Sequence, residues 1–334
     1  MGGNRCDVIT ITEADAAAAD KSKRKGVLFS ARIHPGESNS SFVMKGIMEY
    51  LALDESPEAQ ALRRNFVFKI VPMINVDGVK QGNYRCSLSG IDLNRTWKQM
   101  QPNLFPEIAA IKQLAEQFHQ QHPVVCFVDL HGHSRAKRAF MYGNNYHHNP
   151  ESTRLLPYIY SKVMPEIFSF EKSKFSLSKG KEGTSRVALW KLLKVPAVYT
   201  LETSLCGAGK KSSMPHFTPG NLMLIGKKLC LTLLVYQGIK VGDESESVGL
   251  STLQREQLAQ ELIDNVTSNL PKSQKEANDS MSECSGGSDS DPGEDTLPSN
   301  DFAEVLPDKL VKQLRMTGLH ESTKAQSTFA IPQV

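Results

Sequence analysis

Histidine, glutamate and arginine side chains standing at the ends of apolar runs are the residues of this chain best suited to chemistry. The run at 26–33 delivers the chain to His34-Pro35-Gly36-Glu37. Proline holds the residue before it extended and glycine permits a sharp bend, so an imidazole and a carboxylate converge across a loop. That pair is half of a zinc site, although a loop histidine in such a motif also serves simply to satisfy a carbonyl. A second apolar run, 123–130, ends in His131-Gly132-His133. Hydrolytic zinc sites take three protein ligands and leave one position for water, and on these grounds either histidine completes the count with His34 and Glu37.

A third run, 195–201, leads into Glu202. A carboxylate emerging from so apolar a segment is costly unless it has partners or a task. Beside a metal it is placed to take a proton from water during attack and pass it to a leaving amine; a helix cap or an ion pair with Arg186 or Lys191 would serve it equally. Between the first and second motifs in sequence lie Gly82-Asn83-Tyr84-Arg85-Cys86-Ser87 and Gly90-Ile91-Asp92-Leu93-Asn94-Arg95-Thr96-Trp97. Two arginines and an asparagine suit recognition of an acidic terminus, since a guanidinium fork matches a carboxylate. Asp92 is suited to accept the free ring N–H of a metal-bound histidine and fix its tautomer.

These residues need a frame. Short runs rich in β-branched and aromatic residues occur at 7–11, 26–33, 66–74, 123–130 and 195–201, each the length of a buried strand. Helical spacing is found between and after them, at 40–53, 106–118, 152–168, 184–193 and 218–239, with starts at Ser40, Ser152, Thr184 and Thr218. The alternation predicts an α/β domain with a mixed, largely parallel central sheet flanked by helices, its site at the carboxyl ends of the strands.

The 334 residues are 40% apolar and 22% charged, which excludes collagen, coiled coil and a wholly disordered chain. No stretch approaches 18 uninterrupted apolar residues, and the first residues lack a basic segment followed by an apolar one, so a soluble, cytoplasmic protein is expected, without membrane or nucleic-acid partners. Six scattered cysteines form no Cys-x-x-Cys pair, against a disulfide scaffold or zinc ribbon. The net charge of +3 hides an asymmetry: residues 241–334 hold 7 Lys/Arg against 17 Asp/Glu, leaving 32 against 19 for residues 1–240. A basic domain over 1–240 is thus expected to carry an acidic tail over 241–334. The tail should be mostly disordered, particularly at 280–301, with short helices near 251–266 and 307–316.

In their order, His34-x-x-Glu37, Asn75-Val76-Asp77-Gly78, Arg85, Asp92-Leu93-Asn94-Arg95, His131 and Glu202 resemble the zinc metallocarboxypeptidases. The wording of ARIHPGESNSSFVMKG, GNYRCSLSGIDLNRTW, DLHGHSRAKRAFMYG and TLETSLCG is most similar to the cytosolic carboxypeptidase branch, which removes glutamates from tubulin. The resemblance implies one zinc held by His34, Glu37 and His131, with His131 chosen over His133. It also implies Glu202 as general base, Arg85 polarising the scissile carbonyl, Asn94 and Arg95 holding the terminal carboxylate, and Asp92 supporting His34. Arg186, at the position where relatives set side-chain preference, implies an acidic terminal residue, and polyglutamylated tubulin or other acidic C-terminal tails as partners. The β-sandwich domain that usually precedes the peptidase in this branch, and the opening strands of the peptidase fold, are expected to be missing. Two other readings fit part of the pattern: a deacylase of N-acyl acidic amino acids, and a truncated binder of acidic tails that does not cut them.

Overall fold

The computed structural model describes residues 2–14, 24–99, 101–145, 150–177, 179–210, 212–239 and 241. Nearly all of the tail expected over 241–334, including its two short helices, lies outside the described residues.

Among the described residues, six strands form one mixed sheet: β1 (Ile9–Ile11), β2 (Lys25–Ala31), β3 (Phe66–Val71), β4 (Val124–His133), β5 (Ala139–Tyr142) and β6 (Val198–Ser204), in the order β1-β3-β2-β4-β6-β5. The four central strands are mutually parallel, and the two edge strands β1 and β5 run antiparallel to their neighbours. Seven α-helices of the described residues accompany them: α1 (Ser38–Leu53), α2 (Pro57–Asn65), α3 (Val76–Gln81), α4 (Pro106–Gln121), α5 (Pro150–Val163), α6 (Ser185–Leu193) and α7 (Pro219–Gln237).

The central strands read as continuous apolar runs because both faces are covered. Val27, Phe29 and Ala31 of β2 pack with residues of α1, α2, α5 and α7, whereas Leu28 packs with Phe127, Val198 and the buried faces of α4 and α6. Turn and cap chemistry sets the helix ends. Ser56 caps α2, which has Pro57 in its first turn; Thr218 and Asn221 form a reciprocal capping box at α7, and Gly238 closes that helix in the left-handed region.

Topology places the crevice. From β2 the chain passes through α1 and α2 to β3 on one side, then returns through α4 to β4 on the other side of β2. Connections that leave β2 and β4 in opposite directions open a cleft at their carboxyl ends, where ligands bind in sheets of this kind.

Candidate metal centre and active site

His34 and Glu37 sit in the loop between β2 and α1, and the loop is pinned from several sides. Arg32 adopts a left-handed conformation at φ 56. Its guanidinium donates from Nε and Nη2 to the Pro35 carbonyl (3.0 and 2.7 Å) and from Nη1 to Ser41 Oγ (2.7 Å), clamping both arms of the loop. Gly36 donates its N–H to the Tyr84 carbonyl at 2.7 Å, and a Cβ there would lie 2.4 Å from the Tyr84 ring. Glu37 occupies the N-cap of α1 without capping it through its side chain, so its carboxylate is released toward the cleft.

There the groups converge. His34 Nδ1 lies 2.7 Å from Glu37 Oε1, and His131 Nδ1 lies 3.2 Å from both Glu37 Oε2 and His34 Nδ1. One ligand atom from each of His34, Glu37 and His131 falls within 4.8 Å of the others, and all three residues are buried. The Gly132 N–H donates to Glu37 Oε2 at 2.9 Å. A Cβ on Gly132 would stand 2.3 Å from Asn39 Oδ1, so the strand can pass this close only as glycine.

The second nitrogen of each imidazole faces a carboxylate. His34 Nε2 is 3.1 Å from Asp92 Oδ1, and His131 Nε2 is 2.8 Å from Asp129 Oδ2. Each carboxylate is itself held. Asp92 caps the short turn Leu93–Arg95 by accepting from the Asn94 N–H (2.8 Å), and it pairs with Arg85 (2.8 Å). Fully buried Asp129 accepts from Ser30 Oγ (2.7 Å) and Ser185 Oγ (2.6 Å). The two Nδ1 atoms therefore turn their lone pairs toward a common point, with tautomers set from behind. The electrostatics suit a cation at that point. Burial opposes charge on His131, yet Asp129 and Glu37 carry its pKa well above the usual imidazole value. Burial would also raise Glu37, but the charge of His131 and hydrogen bonds from both histidines hold it well below the usual carboxylate range. Two imidazoles and a carboxylate are the protein donor set of a catalytic zinc site, so the residues fit that metal.

Glu202 lies inside β6 instead of at a helix start, in register with His131 of β4 and with Phe140 of β5. Among the described residues it pairs with neither Arg186 nor Lys191. Burial pushes its pKa up to about 7, His131 opposing and Glu37 adding to the rise. Arg85 is exposed, with Asp92 as its partner, and Arg95 Nη1 stands 3.8 Å from the same carboxylate. Asn94 is buried, its Oδ1 accepting from the Ser185 N–H at 2.9 Å. Arg186, in the first turn of α6, is buried and donates to the Gly143 carbonyl and to Asn144 Oδ1 (2.9 Å); burial lowers its pKa to about 10. His133 stands outside the cluster, where its Nδ1 accepts from the N–H groups of Arg135 (3.2 Å) and Ala136 (2.9 Å).

Asp129, Ser30, Ser185, Arg32 and Asn39 belong to this site and were not singled out from the sequence. The signal for Asp129 was its position two residues before His131 in a strand, which puts both side chains on one face. Asn39 bridges elements that no local pattern connects: its Nδ2 donates to the Thr203 carbonyl beside Glu202 at 2.6 Å.

The zinc carboxypeptidase family profile matches residues 1–217. Cytosolic carboxypeptidase 2 of Xenopus tropicalis is 41% identical over 241 residues, covering 71% of this chain and 25% of that protein. Cytosolic carboxypeptidase 3 of Mus musculus is 41% identical over 244 residues, covering 71% of this chain and 24% of that one. The chain thus spans about a quarter of the length of these relatives. A metallo-carboxypeptidase from Burkholderia cenocepacia shares the fold at a TM-score of 0.61 and 21% identity, over 70% of this chain and 61% of its own.

Proposed function

Since the chain belongs to the zinc carboxypeptidase family, we propose that it is a zinc-dependent carboxypeptidase that removes glutamates from the acidic C-terminal tails of proteins, tubulin first among them. One observation carries the reading: three ligand atoms within 4.8 Å of one another, with Glu202 in register beside His131. His34, Glu37 and His131 would hold the metal. A zinc ion bound there would supply Lewis acidity and would lower the pKa of a water molecule it polarises.

The protein's own groups do the rest. Glu202, beside His131 in the strand register, accepts a proton from the attacking water and delivers it to the departing amine. Arg85 donates hydrogen bonds to the oxygen that gains charge during attack, held at the cleft by Asp92. Asn94 and Arg95 bind the terminal carboxylate. Arg186, a cation kept in a buried setting, favours an acidic terminal side chain, and the basic balance of residues 1–240 attracts an acidic tail at long range. Residues 1–240 form the catalytic domain in this reading and 241–334 an appended acidic tail. The names of the relatives support a cytosolic setting, and contact with microtubules follows only from the tubulin substrate proposed here; among the described residues no helix is long and apolar enough to cross a membrane.

The test is release of free glutamate from a peptide ending in several glutamates, by the zinc-loaded chain and its Glu202→Gln variant. The reading expects release by the first alone, with equal zinc in both. A folded, zinc-loaded chain that releases none contradicts it.

A further inference from the structure

Strands β4 and β6, which carry His131 and Glu202, both run on into exposed turns that interlock. Residues 134–138 connect β4 to β5, and residues 205–210 follow β6. Leu205 donates its N–H to the His133 carbonyl (3.0 Å) and Arg138 donates its N–H to the Gly207 carbonyl (2.9 Å). Gly209 lies against the Lys137 stem, and Lys172 Nζ donates to the Lys137 carbonyl at 3.2 Å. Three segments are thereby tied into one ridge, and Arg135, Lys137, Lys172 and Lys210 are all exposed along it.

Part of the positive charge elsewhere on the molecule is neutralised locally. Lys45, Lys98, Lys227, Arg63 and Arg85 each pair with a carboxylate. Among the described residues, none of Arg135, Lys137, Lys172 and Lys210 does. Nearby acids are few: Glu166 accepts from Ser213, and Glu171 is exposed beside Lys172. Arg138 is occupied in holding the turn, its guanidinium donating to the Pro165 and Glu166 carbonyls.

The ridge also has a definite place. In the strand order it flanks His131 on the β5 side, opposite the β2 side where Asp92 gathers Arg85 and Arg95. Strand geometry puts the turn about 7 Å beyond His131, two residues further along β4. The ridge and the Arg85–Asp92–Arg95 group thus stand on opposite sides of His131.

We propose that Arg135, Lys137, Lys172 and Lys210 form a cationic rim that binds acidic residues of the substrate upstream of the cut bond, at about two to five positions from it at the rise of an extended chain. The inference rests on the reading of the cleft as a carboxypeptidase site. It adds a determinant outside the terminal pocket, so that the enzyme selects acidic chains and not merely acidic ends. Exposed cations of this kind act through encounter and retention of a charged partner, and salt weakens them.

The test compares the zinc-loaded full chain with its Lys137→Glu/Lys172→Glu/Lys210→Glu variant on two peptides that share a glutamate terminus. One carries glutamates upstream and the other glutamines. The rim predicts that charge reversal raises KM for the first peptide at least about tenfold with kcat kept, changes the second less than about twofold, and lowers the salt sensitivity of the first. Equal effects on both peptides, or none on the first, overturn it. A second measurement is independent of turnover: fluorescence anisotropy with a labelled acidic peptide whose C-terminus is amidated. Binding about tenfold weaker in the reversed variant supports the rim even if neither peptide is cut, in which case the catalytic reading alone fails. Unchanged binding overturns the rim whatever the activity.

Discussion

Asp129 is where the account of the metal centre is most exposed to test. Its Oδ1 accepts from Ser30, and its Oδ2 accepts from both His131 and Ser185. Asn replaces one oxygen with an amide and removes the charge. With the amide turned to Ser30, whose hydroxyl can accept, the remaining oxygen still receives His131 and Ser185, so geometry survives and a charge-assisted bond becomes a neutral one. That difference is on the order of 1.5 kcal/mol, about tenfold in metal affinity. Asp129→Ala removes every acceptor and strands a ring N–H and two hydroxyls in a buried pocket, so its loss should approach about 100-fold, the upper range for such partners.

Competition with a chromophoric zinc chelator measures both, with melting of the metal-free proteins to confirm folding. The loss should also depend on pH. Asp129 helps raise the pKa of His131, so a metal entering the wild type must expel a proton that the Asn variant holds less firmly. The gap between wild type and Asp129→Asn is therefore widest at high pH and narrows as pH falls. Folded Asp129→Ala protein that binds zinc within twofold of wild type would refute the reasoning.

Arg32→Gly should relieve the left-handed backbone while releasing Pro35 and Ser41, so the melting temperature of the metal-free protein moves little but zinc affinity falls about tenfold in the chelator assay. Gly132→Ala forces a methyl group into Asn39 and should cost both stability and zinc, read by thermal melting and metal analysis; a variant as stable as wild type would show that the strand has room. In metal-free protein, burial raises the Glu202 pKa to about 7 from its ordinary value, so the folded state favours the protonated form. Its contribution is complete below the ordinary glutamate pKa and is lost as pH rises through about 7. Glu202→Gln should thus gain stability relative to wild type between pH about 4.5 and 7, and parallel melting curves across that range would argue against a raised pKa.

Much of the frame was legible because a sheet covered on both faces writes itself as apolar runs. Strands β2 and β3 end two or three residues before the expected runs do, whereas β4 and β6 were expected to end too soon. β4 continues to His133 and β6 to Ser204, because pairing between His131 and Glu202 and their successors extends the ladder through polar residues. β5, four residues on an edge, and α3, six residues containing a glycine, are too short for periodicity to show. α2 is rich in charge, and its signs were a capping Ser56 and a first-turn Pro57 in place of an apolar stripe. At the site, His34 and Glu37 were readable as a local pair. Their meeting with His131 and Glu202 depends on strand order and register, which no short motif encodes.

The central claim is that His34, Glu37 and His131 share one metal ion. X-ray absorption at the zinc edge, on zinc-loaded protein with metal content measured, tests it most directly. The account predicts one zinc per chain bound only by nitrogen and oxygen at about 2.0–2.2 Å, and loss of that signal in His131→Ala. A sulfur neighbour at about 2.3 Å, drawn from any of the free cysteines Cys6, Cys86, Cys126, Cys206 or Cys230, or a coordination shell unchanged in His131→Ala, would contradict it.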